Sequence, residues 1–199
     1  MKRLAILISG RGSNFEAISN AIWQHDLEAE IAVVISNRAD AAGLEIAREF
    51  KHDAVCLPSK GMDREVYDQL LAAELRKYDV DLVCLAGFMR LLSAGFIREF
   101  PNRILNIHPS LLPAFPGLDA QHQAFIHGVK FAGCTVHFVD EQLDAGPIIM
   151  QWPVPVLDND TEEELSARIL AQEHRTYWKA IKIVLSGNYR IEGRRVVLT

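Results

Sequence analysis

The sequence predicts an α/β protein with a Rossmann-like, doubly wound and mostly parallel sheet that carries helices on both faces. Two observations predict this fold class. Apolar runs of strand length alternate along the chain with segments of helical period. Several of these runs are apolar throughout, which is typical of parallel strands that are buried on both faces. The 199 residues are enough to bury a sizeable core without disulfides.

The predicted elements follow in order through the first two thirds of the chain. The strands are LAILI (4–8), IAVVI (31–35), AVCL (54–57), DLVCLA (81–86), RILNI (103–107) and CTVHFV (134–139). Between them, apolar residues recur at helical spacing in four groups: Phe15, Ile18 and Ile22; Leu44, Ala47 and Phe50; Val66, Leu70 and Leu75; Phe96 and Phe100. Each group predicts a helix with one apolar face.

The last third of the chain has a different pattern. Prolines restrict the run IIMQWPVPV (148–156) to the edge of a sheet. Thr161 and Glu164 form a capping-box signature that starts a long helix, and Gly187 ends it near residue 186. The residues YRIEGRRVVL (189–198) predict a closing hairpin with its turn at Glu192-Gly193. No linker or repeat interrupts the pattern, so we expect a single domain, 1–199, with two lobes that divide near residue 100.

Composition excludes some functions. The 21 basic and 26 acidic side chains give a net charge of -5, which disfavours general binding to nucleic acid. Cys56, Cys84 and Cys134 stand singly in apolar runs and lack metal-site or redox spacing, so we expect free core thiols and no metal. Only five apolar residues precede Ser9, too few for a signal peptide or a membrane span, so we expect a cytoplasmic protein without a membrane partner.

The first chemical signal is the segment SGRGSN (9–14), which follows the first strand and precedes a helix. Glycines allow a tight turn, and the N–H groups of a helix start attract an anion. A plain strand-to-helix turn with an N-cap is the alternative. Because the third glycine of a dinucleotide fingerprint is missing, a single phosphate is the better candidate ligand.

The second signal is the segment ILNIHPSLLPAF (104–115), where Asn106 and His108 lie two residues apart and face the same side of a strand. A core histidine beside an asparagine that starts a turn is the alternative interpretation. Asp144, in a later Gly-Pro loop, could face the histidine. An amide, an imidazole and a carboxylate at strand ends indicate oxyanion stabilisation with proton transfer, which is group-transfer chemistry at a carbonyl. Taken singly, His137 and His174 are interpreted as structural or surface residues.

These segments, with LAGFMRLLS (85–93), GCTVHFVDEQLDAGPII (133–149) and QEH (172–174), together resemble the folate-dependent phosphoribosylglycinamide formyltransferases of purine synthesis. The resemblance implies transfer of a formyl group from 10-formyltetrahydrofolate to the glycinamide amine, on a Rossmann-like sheet and without a metal. It also implies a phosphate-binding lobe of about residues 1–100 and a catalytic and folate-binding lobe of about residues 101–199.

The resemblance assigns residues by position. The catalytic residues are Asn106, His108 and Asp144. The substrate-binding residues are Gly12, Ser13, Asn14 and Glu173. The folate-binding residues are Arg64, Met89, Arg90, Leu91, Leu92, Asn106, Asp140, Glu141 and Asp144. Thr135 falls where some relatives carry a serine, and the stretch from Asp119 to His122 departs from the histidine-bearing stretch of many relatives.

Three other functions stay open. Formyltetrahydrofolate deformylase and methionyl-tRNA formyltransferase resemble the same core, but each carries a further domain for which we expect no room in this chain. A nucleotide- or folate-binding module without catalysis would not need both His108 and Asp144. We expect small-molecule substrates and no nucleic acid, and the sequence leaves a homodimer open.

Overall fold

Nine strands and six helices make up the computed structural model, which describes residues 1–199. The chain divides into two units, Met1–Asn106 and Ile107–Thr199, and the division falls within the fifth strand. The single-domain interpretation stays a prediction. No helix combines the length and the apolar character needed to cross a membrane.

The first unit is a parallel sheet with the strand order β3-β2-β1-β4-β5. Its strands are β1 (Lys2–Ile8), β2 (Ala29–Ser36), β3 (Ala54–Cys56), β4 (Leu82–Leu85) and β5 (Ile104–His108). Its helices are α1 (Ser13–Trp23), α2 (Ala42–Glu49), α3 (Arg64–Arg76) and α4 (Ala94–Glu99). The order reverses between β1 and β4, and because crossovers between parallel strands are right-handed as a rule, the helices are expected to cover both faces. The doubly wound fold is therefore confirmed.

Burial confirms why these strands form. Every residue of β1 from Leu4 to Ile8 is inaccessible to solvent, as is expected for a strand between two others with helices over it. Each of the five predicted strands begins and ends within two residues of its predicted bounds.

Helix α3 buries a different face from the predicted one. Val66 and Leu70 are about half exposed, whereas Tyr67 and Leu71 are fully buried. The sequence contains two sets of apolar residues at helical spacing, one with Val66 and Leu70 and the other, one position later, with Tyr67 and Leu71. The set that contains the large tyrosine ring is buried, and Leu75 belongs to it.

The second unit contains α5 (Ala120–His127), β6 (Phe131–Phe138), β7 (Ile148–Pro155), α6 (Glu162–Ser186), β8 (Tyr189–Glu192) and β9 (Arg195–Leu198). Its strand order is β6-β7-β9-β8, with β6 and β7 antiparallel. The predicted capping box of α6 is present, and Gly187 ends that helix with a φ of 70°. Helix α5 was not predicted.

Two predictions for the second unit need correction. Strand β7 is not purely an edge strand, because Ile148 also pairs with Arg195 of β9. Pro153 and Pro155 lie in the part of β7 that pairs only with β6. A proline lacks the backbone N–H, but in this part of β7 no second neighbouring strand needs it. The closing hairpin is confirmed, but Glu192 pairs with Arg195, so the turn begins one residue later than predicted.

Candidate active site

The glycine segment of the first unit forms a backbone-to-backbone contact. Gly12 has a φ of 79° and precedes α1, and a Cβ at this position would lie 2.9 Å from the Cα of Gly43 in α2. The N–H of Gly43 donates to the Gly10 carbonyl over 3.0 Å. No side chain caps the start of α1, so the partial positive charge of its first turn can act on an anion. Sequence reasoning missed Gly43, which is remote from the segment along the chain.

The predicted substrate residues Ser13 and Asn14 occupy that first turn. Ser13 is half-buried and Asn14 is buried. Gly12, Ser13 and Asn14 therefore surround one helix N-terminus.

Asp144 of the second unit lies between two imidazole rings. Its Oδ2 is 3.5 Å from Nδ1 of His108, and its Oδ1 is 3.7 Å from Nε2 of His137. All three side chains are at most 10% exposed. The structure therefore brings the predicted pair His108 and Asp144 together, and it adds His137, which the sequence had assigned no catalytic part.

Backbone carbonyls determine where the ring protons lie. Nε2 of His108 is 2.9 Å from the Phe115 oxygen, and Nδ1 of His137 is 2.8 Å from the Phe138 oxygen. A carbonyl only accepts, so each of these nitrogens carries a proton. In a neutral ring the other nitrogen would then direct a lone pair at Asp144.

One further proton would convert only one of these two contacts into an attraction. Burial lowers the pKa of His137, so that ring is a poor place for the proton. Of the two contacts, the one between Asp144 and Nδ1 of His108 is the shorter.

The loop that carries Asp144 is tightly packed. The N–H of Gly117 donates to Oδ2 of Asp144 over 2.8 Å, and Asp144 itself has a φ of 49°. A Cβ on Gly146 would lie 1.9 Å from the Phe138 oxygen, so only glycine allows the loop to return this closely to β6. These contacts hold the carboxylate opposite the imidazoles.

Thr135 organises the segment that follows His108. Its Oγ1 donates to the Ser110 carbonyl over 2.6 Å and accepts from the N–H of Leu112 over 3.0 Å. Gln151 donates to the same Oγ1 and to the Leu112 carbonyl. Thr135 thus acts on backbone around the site, and Gln151 is a supporting residue that sequence reasoning missed.

Asn106 and His108 lie on the same strand, β5, two residues apart. Strand geometry directs both side chains to one face. Asn106 is half-buried and His108 is buried. The two residues therefore lie within one strand, as the sequence predicted.

The remaining predicted residues have varied environments. Glu173 is buried on α6, a carboxylate on a face that is otherwise mainly apolar. Met89 and Leu91 are exposed, and Arg64 is exposed at the start of α3. In the loop between β6 and β7, Asp140 is half-buried and Glu141 is exposed. Leu92 is half-buried, and the Arg90 side chain turns inward.

His122 has a contact of its own. Its Nδ1 lies 2.7 Å from Oε2 of Glu162, which raises the pKa of the histidine. The pair links α5 to the start of α6 at the surface. The three cysteines are free, as predicted, and burial raises the pKa of Cys134 to about 12, which makes that thiol unreactive.

The sequence of this chain matches a known protein family. The sequence pattern of the family described as Formyl transferase matches residues 2–181. The chain belongs to the formyl transferase family. This confirms the family expected from the sequence motifs.

Members of the formyl transferase family match nearly the whole chain. The phosphoribosylglycinamide formyltransferase of Escherichia coli K12 is 43% identical over 189 residues, which are 94% of this chain and 89% of that one. The crystal structure of glycinamide ribonucleotide transformylase 1 from Symbiobacterium toebii has 55% identity and a TM-score of 0.96, and it covers 100% of this chain and 94% of that one.

Two other formyl transferase relatives differ more in length or sequence. The trifunctional purine biosynthetic protein adenosine-3 of Drosophila pseudoobscura pseudoobscura is 47% identical over 95% of this chain, which spans only 14% of that protein. A formyltetrahydrofolate deformylase from Pseudomonas syringae shares the fold, with a TM-score of 0.93, but has 28% identity and is covered over 65% of its length.

Proposed function

We propose that this chain transfers a formyl group from 10-formyltetrahydrofolate to the amine of phosphoribosylglycinamide, in purine biosynthesis. The observation that carries the proposal is the pairing of His108 with Asp144 in a member of the formyl transferase family. The named relatives that match over most of their own length act as phosphoribosylglycinamide formyltransferases, which supports the same substrate. A cytoplasmic location belongs to the same proposal, and a homodimer stays a prediction.

The glycine segment would hold the phosphate of the substrate. The start of α1 lacks a side-chain cap, so an anion can take the place that a capping side chain usually fills. Ser13 would add a hydroxyl donor to the backbone N–H groups. We assign Glu173 to the glycinamide part, where a buried carboxylate would attract the amine.

The chemical step needs stabilisation of negative charge on the formyl oxygen. The neutral amine attacks the formyl carbon, a new C–N bond forms, and the bond from that carbon to the folate nitrogen breaks. The Asn106 amide would donate to the oxygen as charge develops, and the positive charge of a protonated His108 would stabilise it. The proton released by the amine would finally reach the folate nitrogen, with Asp144 orienting a water for that transfer.

Asp144 would keep His108 protonated during this step. Two unit charges about 4 Å apart attract by about 4 kcal/mol at an effective dielectric near 20, before desolvation is subtracted. The carboxylate also accepts from the Gly117 N–H, which fixes its orientation. His137, kept neutral by burial, would limit movement of Asp144 on the opposite side.

The folate co-substrate would bind to the residues carried over from the family. Met89 and Leu91 expose apolar side chains, which suits contact with an aromatic ring system. Asp140 and Glu141 lie in the same loop as Asp144.

An absorbance assay for loss of 10-formyltetrahydrofolate, run with and without phosphoribosylglycinamide, tests the proposal. We expect turnover that requires the amine. Turnover without the amine would identify a deformylase, and binding without turnover would identify a passive module. Either of these results would overturn the proposed transfer.

A further inference from the structure

The loop after β4, residues 86–93, exposes the side chains that are predicted to bind folate. Met89 is 66% exposed and Leu91 is 52% exposed. A binding loop with exposed apolar side chains loses conformational freedom when a ligand binds, unless the protein already fixes its backbone. The contacts of this loop show that its backbone is fixed at several points.

Hydrogen bonds to Ser9 hold the first half of the loop. The N–H of Ser9 donates to the Gly87 carbonyl over 3.0 Å, and its Oγ accepts from the N–H of Met89 over 2.7 Å. The same hydroxyl donates to Oδ1 of Asn37 over 2.6 Å. Ser9 and Asn37 are buried at the ends of β1 and β2, so the anchor is rigid.

Arg90 holds the middle of the loop. Its guanidinium lies 4.6 Å from the centre of the Tyr67 ring in α3. It also donates to the carbonyls of Ser59, Met62 and Asp63 over 3.2 to 3.5 Å. Because this side chain points into the protein, its main effect is on the backbone around position 90.

Asp68 holds the far end of the loop. Its Oδ2 accepts from the N–H of Ser93 over 2.5 Å, and Ser93 in turn caps α4 by accepting from Phe96. Asp68 is 2% exposed, and its Oδ1 is buried without a hydrogen-bond partner. Burial raises the pKa of this carboxyl, and the hydrogen bonds from Ser93 and the charge of Arg90 only partly oppose the effect.

A buried carboxyl with one open oxygen is unfavourable for stability alone, because desolvation is not fully compensated. The uncompensated desolvation of the Asp68 carboxyl has a reason if this residue fixes the end of the loop for ligand binding.

We propose that Asp68 is a positioning residue for the folate-binding segment Met89–Leu92. Asp68 fixes Ser93 at one end of the segment while Ser9 fixes Met89 at the other, so the segment is ordered before folate binds. The inference rests on the proposed function, because the assignment of these residues to folate comes from it.

The test compares variants at position 68 with the unmodified chain. Asp68→Ala removes the acceptor for Ser93, and Asp68→Asn keeps an acceptor oxygen in the same place. Tetrahydrofolate binding is measured by calorimetry, and KM for each substrate is measured in the formyl-transfer assay. Asp68→Leu has a similar shape without the acceptor and replaces the alanine variant if that variant does not fold.

Asp81→Ala is the matched control. Asp81 also accepts from a backbone N–H, that of Arg3 over 2.8 Å, and from Lys2 Nζ over 2.7 Å, but at the start of β1 rather than at the loop. This variant also loses a side-chain acceptor of a backbone N–H, so it should lower stability without weakening folate binding.

We expect Asp68→Ala to weaken tetrahydrofolate binding about tenfold, equal to about 1.4 kcal/mol. KM for phosphoribosylglycinamide should change less than about twofold, and Asp68→Asn should bind folate nearly as well as the unmodified chain. Unchanged folate binding in Asp68→Ala would overturn the positioning role. Equal weakening of the binding of both substrates in Asp68→Ala would also overturn it, and so would an equal loss of folate binding in Asp81→Ala. An unmodified chain that neither binds tetrahydrofolate nor turns over would instead overturn the proposed function.

Discussion

The Asp144 carboxylate faces two imidazole rings. In each ring, the nitrogen that points away from the carboxylate donates to a backbone carbonyl. The rings of His108 and His137 therefore cannot rotate their protonated nitrogens towards the carboxylate without losing a hydrogen bond. One further proton on the group would make only one of the two contacts favourable, and burial lowers the pKa of His137, which disfavours that ring as its place. This links backbone geometry to the protonation state that the proposed chemistry needs.

Asp144→Asn tests this link. The amide cannot stabilise an imidazolium by charge, so kcat should fall and its pH profile should shift, while binding of phosphoribosylglycinamide should stay nearly intact. Steady-state rates across pH measure the effect. Asp158→Asn, which removes a carboxylate from an exposed ion pair with Lys130, is the control and should behave like the unmodified chain. An unchanged pH profile in Asp144→Asn would reject the proposed pairing.

Asn106→Ala tests the amide donor. Loss of one donor to a developing oxyanion lowers kcat by about a hundredfold or more. The KM for each substrate should change much less, because the bond strengthens as charge develops. A rise in KM with unchanged kcat would show that Asn106 positions substrate instead.

Single residues of the site differ in how far the sequence predicts them. His108 and Asp144 were predicted because polar groups at strand ends and in Gly-Pro loops are conspicuous. His137 shares a strand face with Thr135 by period two, which is a signal that the sequence contained. Gln151 lies opposite Thr135 only through the β6–β7 register, which the sequence does not determine.

At the scale of elements, the turn before α1 depends on two glycines that touch. Gly12→Ala adds left-handed strain and a Cβ that would lie 2.9 Å from Gly43 Cα. Gly187→Ala adds similar strain at a φ of 70° but meets nothing within 4 Å. The pair of variants therefore separates backbone strain from the steric clash.

We expect Gly12→Ala to lose stability and to bind phosphoribosylglycinamide more weakly, since the start of α1 must move. Gly187→Ala should lose only the strain, about 1 kcal/mol, with binding unchanged. Urea unfolding and a binding titration measure the two effects. Equal effects of both variants on binding would show that the contact with Gly43 is unimportant.

Elements were predicted well where a local signal exists. The capping box at Thr161 and the glycine at 187 bound α6 as expected. Helix α5 lacks such signals, because Asp119 starts it in a left-handed conformation without a side-chain cap. In α3, two overlapping apolar sets fit the helical period, so only packing could decide that Tyr67 rather than Val66 faces the core.

At the scale of the whole molecule, buried histidines connect the fold to solution pH. Burial lowers the pKa of His137, and it also lowers that of His52, whose Nε2 lies 2.9 Å from Ser19 Oγ. Both rings are therefore mainly neutral in the folded chain at pH values where they would be partly charged after unfolding. His122 has the opposite shift, but it is exposed and screened by solvent.

The sign of the effect follows from proton counting. Below the ordinary histidine pKa of 6.5, the unfolded chain binds more protons at positions 52 and 137 than the folded chain does. The free energy of unfolding should therefore decrease as pH falls through this range, by at most about 1.4 kcal/mol per pH unit for each histidine. Urea unfolding at pH 7.5 and 5.5 measures the loss, and His137→Asn, which can still donate to the Phe138 carbonyl, should lose less stability between the two pH values. Equal losses in the variant and the unmodified chain would contradict a buried neutral His137.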